Sequence, residues 1–202
     1  ATLDTIFFPS LLSNASSDRE VIIVDDVSPA QTQTRHLIEK YLPELKKYFG
    51  NVDFYRNERN LGFGPSFNGG IMRANGDSIL VTNDDVYFPK DSIGRLVAVL
   101  GEDEGYGMIG PITNEKRSFT YQYCKQAPHL ESYSESELER IEDFAQYAHD
   151  HMQGRRIKAD LITGFCFAMP TALLLELGGF DERFKFGMFE DSDLARRVSK
   201  DQ

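Results

Sequence analysis

The sequence predicts an α/β fold in which a mostly parallel sheet is flanked by helices on both faces. Short apolar runs, typical of buried strands, alternate along the chain with longer segments that have helical apolar spacing and helix-capping residues. Two of the predicted strands end in paired carboxylates, as expected where ligands bind beyond the carboxyl ends of a sheet. The length of 202 residues suits one domain with a sizeable core.

The first elements follow from apolar spacing and from the positions of proline. Apolar residues between positions 3 and 12 form one face of a helix. A β-branched run at 21–24 predicts a strand, and Ser28 and Pro29 then suit the opening of a helix at about 32–49. Pro43 lies inside that helix, so the helix is expected either to kink or to start anew there. A short strand at 52–56 and a loop at 57–65, rich in glycine and asparagine, come next.

The next elements continue the alternation. Phe67, Ile71 and Ala74 predict the inward face of a helix at 66–75. The apolar run at 79–82 predicts the central strand of the sheet. Asp91 is suited to cap a helix at 91–101, and residues 108–112 predict a further strand.

A mainly helical insertion at about 114–160 then interrupts the alternation. Ser134 and Glu137 resemble a capping box that opens a helix at 134–153. Insertions of this size are more often functional than idle. The tyrosines of this insertion either bind sugar rings or pack the insertion onto the domain. His149 and His151 are two positions apart and point to different sides of a helix, which favours surface residues over metal ligands.

Three acidic clusters mark the candidate site. Any one of them alone could be a polar turn, but clusters on three elements are expected to converge beyond the carboxyl ends of the strands. Oxygen ligands of this kind suit Mg²⁺ or Mn²⁺. The clusters are Asp25 and Asp26 after the first strand, Asn83, Asp84 and Asp85 after the central strand, and Glu190, Asp191 and Asp193 at the start of a C-terminal helix.

Further motifs surround these acids in a specific order. They are Asn-Glu-Arg-Asn-Leu-Gly-Phe-Gly at 57–64, Asn-Gly-Gly-Ile at 68–71, Asn-Asp-Asp at 83–85, Gly-Gly-Phe-Asp-Glu-Arg-Phe at 178–184 and Glu-Asp-Ser-Asp-Leu at 190–194. With them the chain resembles the family 2 glycosyltransferases from residue 21 to about residue 198. These are inverting enzymes with the Rossmann-like, glycosyltransferase A-type fold that binds nucleotide sugars.

The resemblance implies roles for the acids on the metal and acceptor sides. Asp85 is the expected ligand of Mn²⁺ or Mg²⁺, and Asp84 beside it is expected to reach the ribose or metal-bound water. Asn83 replaces the first acid of the family's Asp-x-Asp motif and offers a carbonyl oxygen without charge. Asp191 is the expected general base, and Glu190 is expected to orient the acceptor or the base.

The resemblance also implies a donor side. Asp26 is expected to accept the N–H of a pyrimidine base, and Asp25 is expected to support the loop that carries it. Asn60 and Asn68 belong to the segments expected to bind the nucleotide sugar. Arg59 either contacts the donor phosphates or is a solvated loop residue.

The expected activity is transfer of a sugar from a nucleoside-diphosphate donor to a hydroxyl of a glycan or other acceptor, in glycan or polysaccharide synthesis. The alternative is a catalytically silent carbohydrate- or nucleotide-binding module of a larger protein. A nucleotidyltransferase is disfavoured because the chain has no basic glycine-rich loop near its N-terminus. For Asp193, capping of the following helix and a catalytic role both remain open.

Composition excludes other classes of function. The net charge of −10 argues against nonspecific binding of nucleic acid. No apolar run approaches the roughly 18 to 20 residues of a membrane span. Two isolated cysteines favour a reducing, cytoplasmic setting.

We expect a single glycosyltransferase domain with a nucleotide-sugar half at 21–112 and an acceptor half at 113–202. The resemblance implies a strand before the first helix, so we expect a fragment of a longer chain. Other regions of that chain are expected to supply any membrane association.

Overall fold

The computed structural model describes residues 2–29, 33–103, 105–115, 122–152, 155–184 and 188–200. Outside these ranges lie the predicted start of a helix at residue 32, the predicted end of the insertion helix at residue 153, and the parts of the insertion at 116–121 and 153–154. The segment 185–187 before the C-terminal helix lies outside them as well. A π-helical turn, Leu3–Phe7, leads into the first α-helix. The helices are α1 (Phe8–Ser13), α2 (Thr34–Tyr48), α3 (Phe63–Ile71), α4 (Ser92–Leu100), α5 (Glu135–Met152), α6 (Thr171–Glu176) and α7 (Glu190–Lys200). The strands are β1 (Glu20–Asp25), β2 (Asn51–Arg56), β3 (Ser78–Thr82) and β4 (Cys166–Pro170).

The strands form one parallel and one antiparallel pair. β1 and β2 are parallel, in a register that runs from Glu20 opposite Asn51 to Asp25 opposite Arg56. β3 and β4 are antiparallel, with Thr82 opposite Cys166 at one end. The predicted α/β class with parallel strands and flanking helices is confirmed, and the antiparallel strand β4 is an element that the sequence reading did not identify. Because of this pairing, the end of β3 lies beside the start of β4.

The core lies on both faces of β3, because alternate residues of a strand point to opposite sides. Leu80 packs against a cluster that includes residues of α1, α2 and the segment after β3. Ile79 and Val81 belong to a second cluster, formed with residues of α3, β4, α6 and α7. Phe167 of β4 and Leu194 of α7 are fully buried in this second cluster. Burial of these residues fixes α7 against the sheet.

The predicted strand at 108–112 is reduced to one bridge. Ile109 and Ala168 exchange backbone hydrogen bonds of 2.9 and 2.7 Å, which adds a single antiparallel contact to β4. Pro111 lacks a backbone donor. The side chain of Gln122 packs against Gly110, where a Cβ would lie 2.6 Å from its Nε2.

Two predicted helices are resolved further by the structure. α2 continues through Pro43 as one helix from Thr34 to Tyr48, so of the two predicted alternatives the new start at Pro43 is wrong. α3 begins at Phe63 and ends at Ile71, earlier than the predicted range of 66–75. Its start follows Gly62, whose φ of 88° makes a sharp entry into the helix that glycine accommodates without strain.

The predicted insertion helix is present as α5, and a carboxylate on it contacts the segment after β3. Glu142 accepts a hydrogen bond of 2.6 Å from the Tyr87 hydroxyl and one of 3.1 Å from the Lys90 N–H. The capping interaction at the start of α5 differs from the expected box, because the Glu137 carboxylate accepts from the Ser132 N–H and hydroxyl rather than from Ser134. Within the described ranges, no helix is long and apolar enough to cross a bilayer.

Candidate functional site

The segment after β3 carries two adjacent, exposed carboxylates. The Asn83 N–H donates a hydrogen bond of 2.9 Å to the Phe165 carbonyl, and this bond extends the contact between β3 and β4. Asp84 and Asp85 follow it and are exposed to solvent. Partial loss of solvation, together with the charge of Asp85, raises the pKa of Asp84. A cation would relieve the repulsion between the two carboxylates.

Asp191 is held at the same end of β3 by the residues that precede β4. The Gly164 N–H donates a hydrogen bond of 2.8 Å to Oδ2 of Asp191. Gly164 bonds to Asp191, and the next residue, Phe165, bonds to Asn83. Asp191 and the start of the Asn83–Asp85 segment are therefore attached to neighbouring residues. The approach is close, since a Cβ at position 164 would lie 3.1 Å from the Asp191 Cβ.

Glu190 is a buried carboxylate with an unused oxygen. The residue is only 5% exposed, and its Oε2 has no hydrogen-bond partner in the described part of the chain. Burial, with a smaller contribution from the Asp191 charge, raises the pKa of Glu190. A buried oxygen of this kind either carries a proton or awaits a donor from a bound molecule.

The residues before α7 have an uncommon backbone. Met188 and Phe189 have φ angles of 73° and 81°, in the left-handed region that non-glycine residues rarely occupy. Both side chains are exposed. The Phe189 carbonyl accepts the Asp193 N–H at 2.8 Å, while the Asp193 carboxylate pairs with Arg197 at 2.8 Å. Phe189 and Arg197 lie four residues to either side of Asp193, so both contacts are local to α7 and the residue before it.

Asp25 and Asp26 organise the loops beyond β1. Asp25 is buried, accepts the Ser28 N–H at 2.8 Å and pairs with Arg56. The carboxylate of Asp26 accepts three bonds of 2.8 Å, from the Asn57 side chain and from the backbone N–H groups of residues 61 and 62. Partial burial would raise the pKa of Asp26, but these hydrogen bonds outweigh it and lower the pKa.

Aromatic packing connects the Asp26 loop with Asp191. Gly62, bonded to Asp26, is followed by Phe63, whose ring would lie 3.6 Å from a Cβ at position 164. Phe63 also packs edge-to-face on Phe180, with ring centroids 5.6 Å apart. The three acidic clusters are therefore joined through adjacent residues rather than scattered over the surface.

The other predicted donor residues are placed differently. The Asn60 side chain donates a bond of 3.2 Å to the Asp26 carbonyl, and Arg59 is exposed. The side chain of Asn68 instead bonds to both the N–H and the carbonyl of Phe180, each at 2.9 Å. It lines a cavity of about 440 Å³ with residues that include Arg183 and Arg197. Two of the carboxylates that line the cavity, Asp181 and Asp193, are paired with arginines, and the third, Glu182, accepts the Asn68 amide at 3.0 Å. We therefore place the candidate site at the acid pairs and not in this cavity.

The donor set fits a cation that also binds phosphate oxygens. Within the described ranges, no group of three His, Cys, Asp or Glu residues is arranged to hold a metal ion. Mg²⁺ often uses one or two protein carboxylates and completes its shell with substrate phosphates, which matches an exposed pair such as Asp84 and Asp85. His151 stacks on Tyr147, with centroids 4.4 Å apart, on the exposed side of α5.

Sequence reasoning missed two residues that contact this region. Gly164 is not among the candidate residues of the sequence analysis, although its missing side chain allows the close approach of Asp191. Gln122 is not among them either. It is a single polar residue in a segment rich in polar side chains, so no sequence pattern distinguishes it, and only its burial in the structure does.

Comparison with known proteins gives a consistent result. The family model described as glycosyl transferase family 2 matches residues 7–174. An N-acetylglucosaminyl-diphospho-decaprenol L-rhamnosyltransferase of Mycobacterium tuberculosis (strain ATCC 25618 / H37Rv) is 24% identical over 168 residues, which cover 75% of this chain and 54% of the relative. The chain thus spans about half the length of this curated relative.

Solved glycosyltransferase structures share the fold. The mannosyltransferase PcManGT from Pyrobaculum calidifontis, in complex with GDP-Man and Mn²⁺, aligns with a TM-score of 0.63 and 16% identity, covering 95% of this chain and 46% of that one. S. aureus TarS 1-349 in complex with UDP aligns with a TM-score of 0.60 and 18% identity, covering 98% of this chain and 52% of that one. At such identities the likeness concerns the fold.

Proposed function

Because the chain belongs to glycosyl transferase family 2, we propose that it transfers a sugar from a nucleoside-diphosphate donor to an acceptor hydroxyl with inversion at the anomeric carbon. The observation that carries the proposal is the 2.8 Å bond from the Gly164 N–H to Asp191. Through Phe165 this bond links a candidate base to the start of the segment that bears Asp84 and Asp85. An acceptor base and a donor-phosphate side are the two halves that such a reaction needs.

Asp191 is the proposed general base. It takes the proton of the acceptor hydroxyl while that oxygen forms its bond to the anomeric carbon, and the bond to the nucleoside diphosphate breaks on the opposite face. Oδ2 accepts the Gly164 N–H and Oδ1 accepts the Ser192 N–H at 2.6 Å. Oδ1 also accepts the Ser192 hydroxyl at 3.3 Å, so the second lone-pair site of Oδ2 is the one that would accept the proton while these bonds fix the orientation of the group.

Glu190 is the proposed orienting group for the acceptor. Among the residues that the structure describes, none donates a hydrogen bond to its Oε2, so binding of an acceptor hydroxyl there would satisfy a buried oxygen. The raised pKa of Glu190 has the same origin, because burial disfavours the charged form.

The proposed metal side consists of Asp85, with Asp84 beside it toward the ribose. When bound there, Mn²⁺ or Mg²⁺ would offset the charge of the departing diphosphate. Asp84 and Asp85 supply hard oxygen ligands that are exposed and adjacent. The relief of their mutual repulsion favours binding of a cation with the donor phosphates.

The proposed donor side is the loop that Asp25 and Asp26 organise. Asp26 already accepts three bonds of 2.8 Å from the protein, and the Ser66 hydroxyl also bonds to its carboxylate. Since a carboxylate offers about four lone-pair sites, the N–H of a pyrimidine base would bind there in place of one of these donors. Asn60, which is bonded to the Asp26 carbonyl, and the exposed Arg59 would contact the nucleotide from the same loop.

The test is release of nucleoside diphosphate from a panel of nucleotide sugars with Mn²⁺, with and without hydroxyl acceptors. Asp191→Asn should keep donor binding while transfer falls by roughly 10²- to 10⁴-fold, as for other acid–base groups. Asp85→Ala should remove the Mn²⁺ dependence of nucleotide binding in calorimetry. Asp143→Asn, at an exposed acid of α5, is the control. Nucleotide binding without any turnover would instead support a silent binding module, and full transfer by Asp191→Asn would exclude Asp191 as the base.

A further inference from the structure

Gln122 is a polar side chain buried at the base of the insertion. It is 5% exposed, and its amide is bonded at both ends. Oε1 accepts the N–H and the hydroxyl of Thr163, each at 2.7 Å. Nε2 donates to the Pro111 carbonyl at 3.1 Å. A buried amide with these partners has a single orientation.

The surroundings of Gln122 are shaped to hold it. A Cβ at position 110 would lie 2.6 Å from Nε2 of Gln122 and 2.7 Å from Ile162, so the position beside the amide accepts only glycine without rearrangement. The Gln122 carbonyl also accepts the Thr113 N–H at 2.7 Å. Side chain and backbone therefore fix the residue together.

The bond to Thr163 lies one residue from the bond that holds the proposed base. The backbone N–H of Thr163 donates to Oε1 of Gln122, and the next N–H along the chain, that of Gly164, donates to Asp191 at 2.8 Å. A shift of the backbone at Thr163 changes the direction of the Gly164 N–H, because consecutive peptide planes share one Cα. No other side chain is needed to transmit the displacement.

We propose that Gln122 is a positioning residue for Asp191, so that the insertion fixes the proposed base through the backbone of Thr163 and Gly164. The inference rests on the proposed function of Asp191. It gives the insertion a second role besides any contact with the acceptor. Gln122 does not touch substrate in this scheme and acts only through these two peptide groups.

The variant Gln122→Met tests the proposal, because methionine keeps the approximate volume and removes every hydrogen bond of the amide. We expect kcat for transfer to fall roughly 10- to 100-fold, as for a slightly misplaced catalytic group. The KM for the donor should stay within about twofold, since the donor side is not touched. Backbone hydrogen exchange at Thr163 and Gly164 should speed up by about tenfold or more, while exchange at Ile22 in β1 stays unchanged.

Two further variants keep the test decisive. Gln122→Glu retains an acceptor for Thr163 and should recover protection of the Thr163 and Gly164 amides relative to Gln122→Met. Gln126→Met removes an exposed amide on the same segment and should match the wild type. Unchanged kcat and unchanged exchange in Gln122→Met would overturn the proposal. So would equal loss of protection at Gly164 and Ile22, which would make Gln122 a residue of general stability.

The exchange measurement separates failure of this inference from failure of the proposed function. If Asp191→Asn transferred sugar at the wild-type rate, the proposed base would be wrong, and the positioning of Asp191 by Gln122 would fall with it. If Asp191→Asn were inactive while Gln122→Met behaved like the wild type in rate and exchange, only the positioning role would be wrong.

Discussion

Alanine at position 164 is a minimal perturbation of the proposed base. Gly164 lies outside the left-handed region, so alanine can adopt its backbone conformation. The added Cβ would lie 3.1 Å from the Asp191 Cβ and 3.5 Å from its Oδ2. The Phe63 ring lies 3.6 Å from the same point. The methyl group therefore fits only if Asp191 moves.

The size of the effect follows from this geometry. Carbon atoms pack without strain at about 3.5 Å or more, so the 3.1 Å approach requires a displacement of about 0.4 Å. A misplacement of about 1 Å costs roughly 100-fold in rate. Scaled in free energy, about 0.4 Å costs roughly sixfold, or about 1 kcal/mol in the activation barrier.

The assay compares transfer with donor binding in Gly164→Ala. We expect kcat to fall about sixfold, with the donor affinity measured by calorimetry unchanged. Gly101→Ala is the matched control, because the nearest atom to its new Cβ is the Ala98 carbonyl oxygen at 3.6 Å, an ordinary contact. Gly101 ends α4 and lies outside the proposed machinery.

A full transfer rate in Gly164→Ala, with the thermal midpoint also unchanged, would refute the reasoning. It would mean that Asp191 tolerates the displacement and that its position is not critical. A loss of donor affinity with kcat unchanged would place Gly164 on the donor side instead.

Three other substitutions test electrostatics and packing. Glu190→Gln should slow transfer yet raise the free energy of unfolding at neutral pH by about 1 kcal/mol. The folded-state pKa of Glu190 is raised, so its carboxylate costs stability increasingly as the pH rises above the ordinary value of 4.5. Thermal melts of the variant and the wild type should therefore converge at lower pH. Asp26→Asn should reduce the loss of unfolding free energy at acid pH, measured by denaturant titration. The pKa of Asp26 is lowered in the folded state, so its carboxylate stabilises the fold above the ordinary value of 3.8, and this stabilisation is lost as the pH falls through the folded-state pKa. Gly69→Ala should destabilise the fold by about 1–3 kcal/mol, since its Cβ would lie 2.5 Å from the Tyr55 hydroxyl. In a Tyr55→Phe background the same change should cost clearly less. Unfolding free energies in denaturant that are strictly additive for the two substitutions would contradict this.

The positions of the acidic clusters were predictable because they depend on local pattern. An apolar run followed by carboxylates identifies the end of a strand, and Asp25 and Asp85 lie at or just beyond the ends of β1 and β3. α5 was predictable for the same reason, from its apolar stripe. The roles assigned to these acids remain predictions until the variants are measured.

Features that depend on contacts distant in sequence were not predictable. β4 reads as a short apolar segment, and only its pairing with β3 makes it an antiparallel strand. The segment at 108–112 has a strand-like composition, yet it makes only one bridge to β4, and the side chain of Gln122 from the insertion packs against Gly110. α3 starts early because Phe63 packs into the ring cluster with Phe180. Each of these results from tertiary packing that overrides a local preference.

The insertion is part of the long connection between β3 and β4, two strands that are far apart along the chain but paired in space. Thr82 and Phe165, bonded at 3.3 Å, are separated by 83 positions. The entropy of closing such a loop grows only logarithmically, and each doubling of its length costs about 0.6 kcal/mol more. Insertions or deletions between Gln122 and Glu142 should therefore change the free energy of unfolding little, whereas substitutions of these two residues should change it more. The length of this segment can thus vary without disturbing the strand ends that carry the acids.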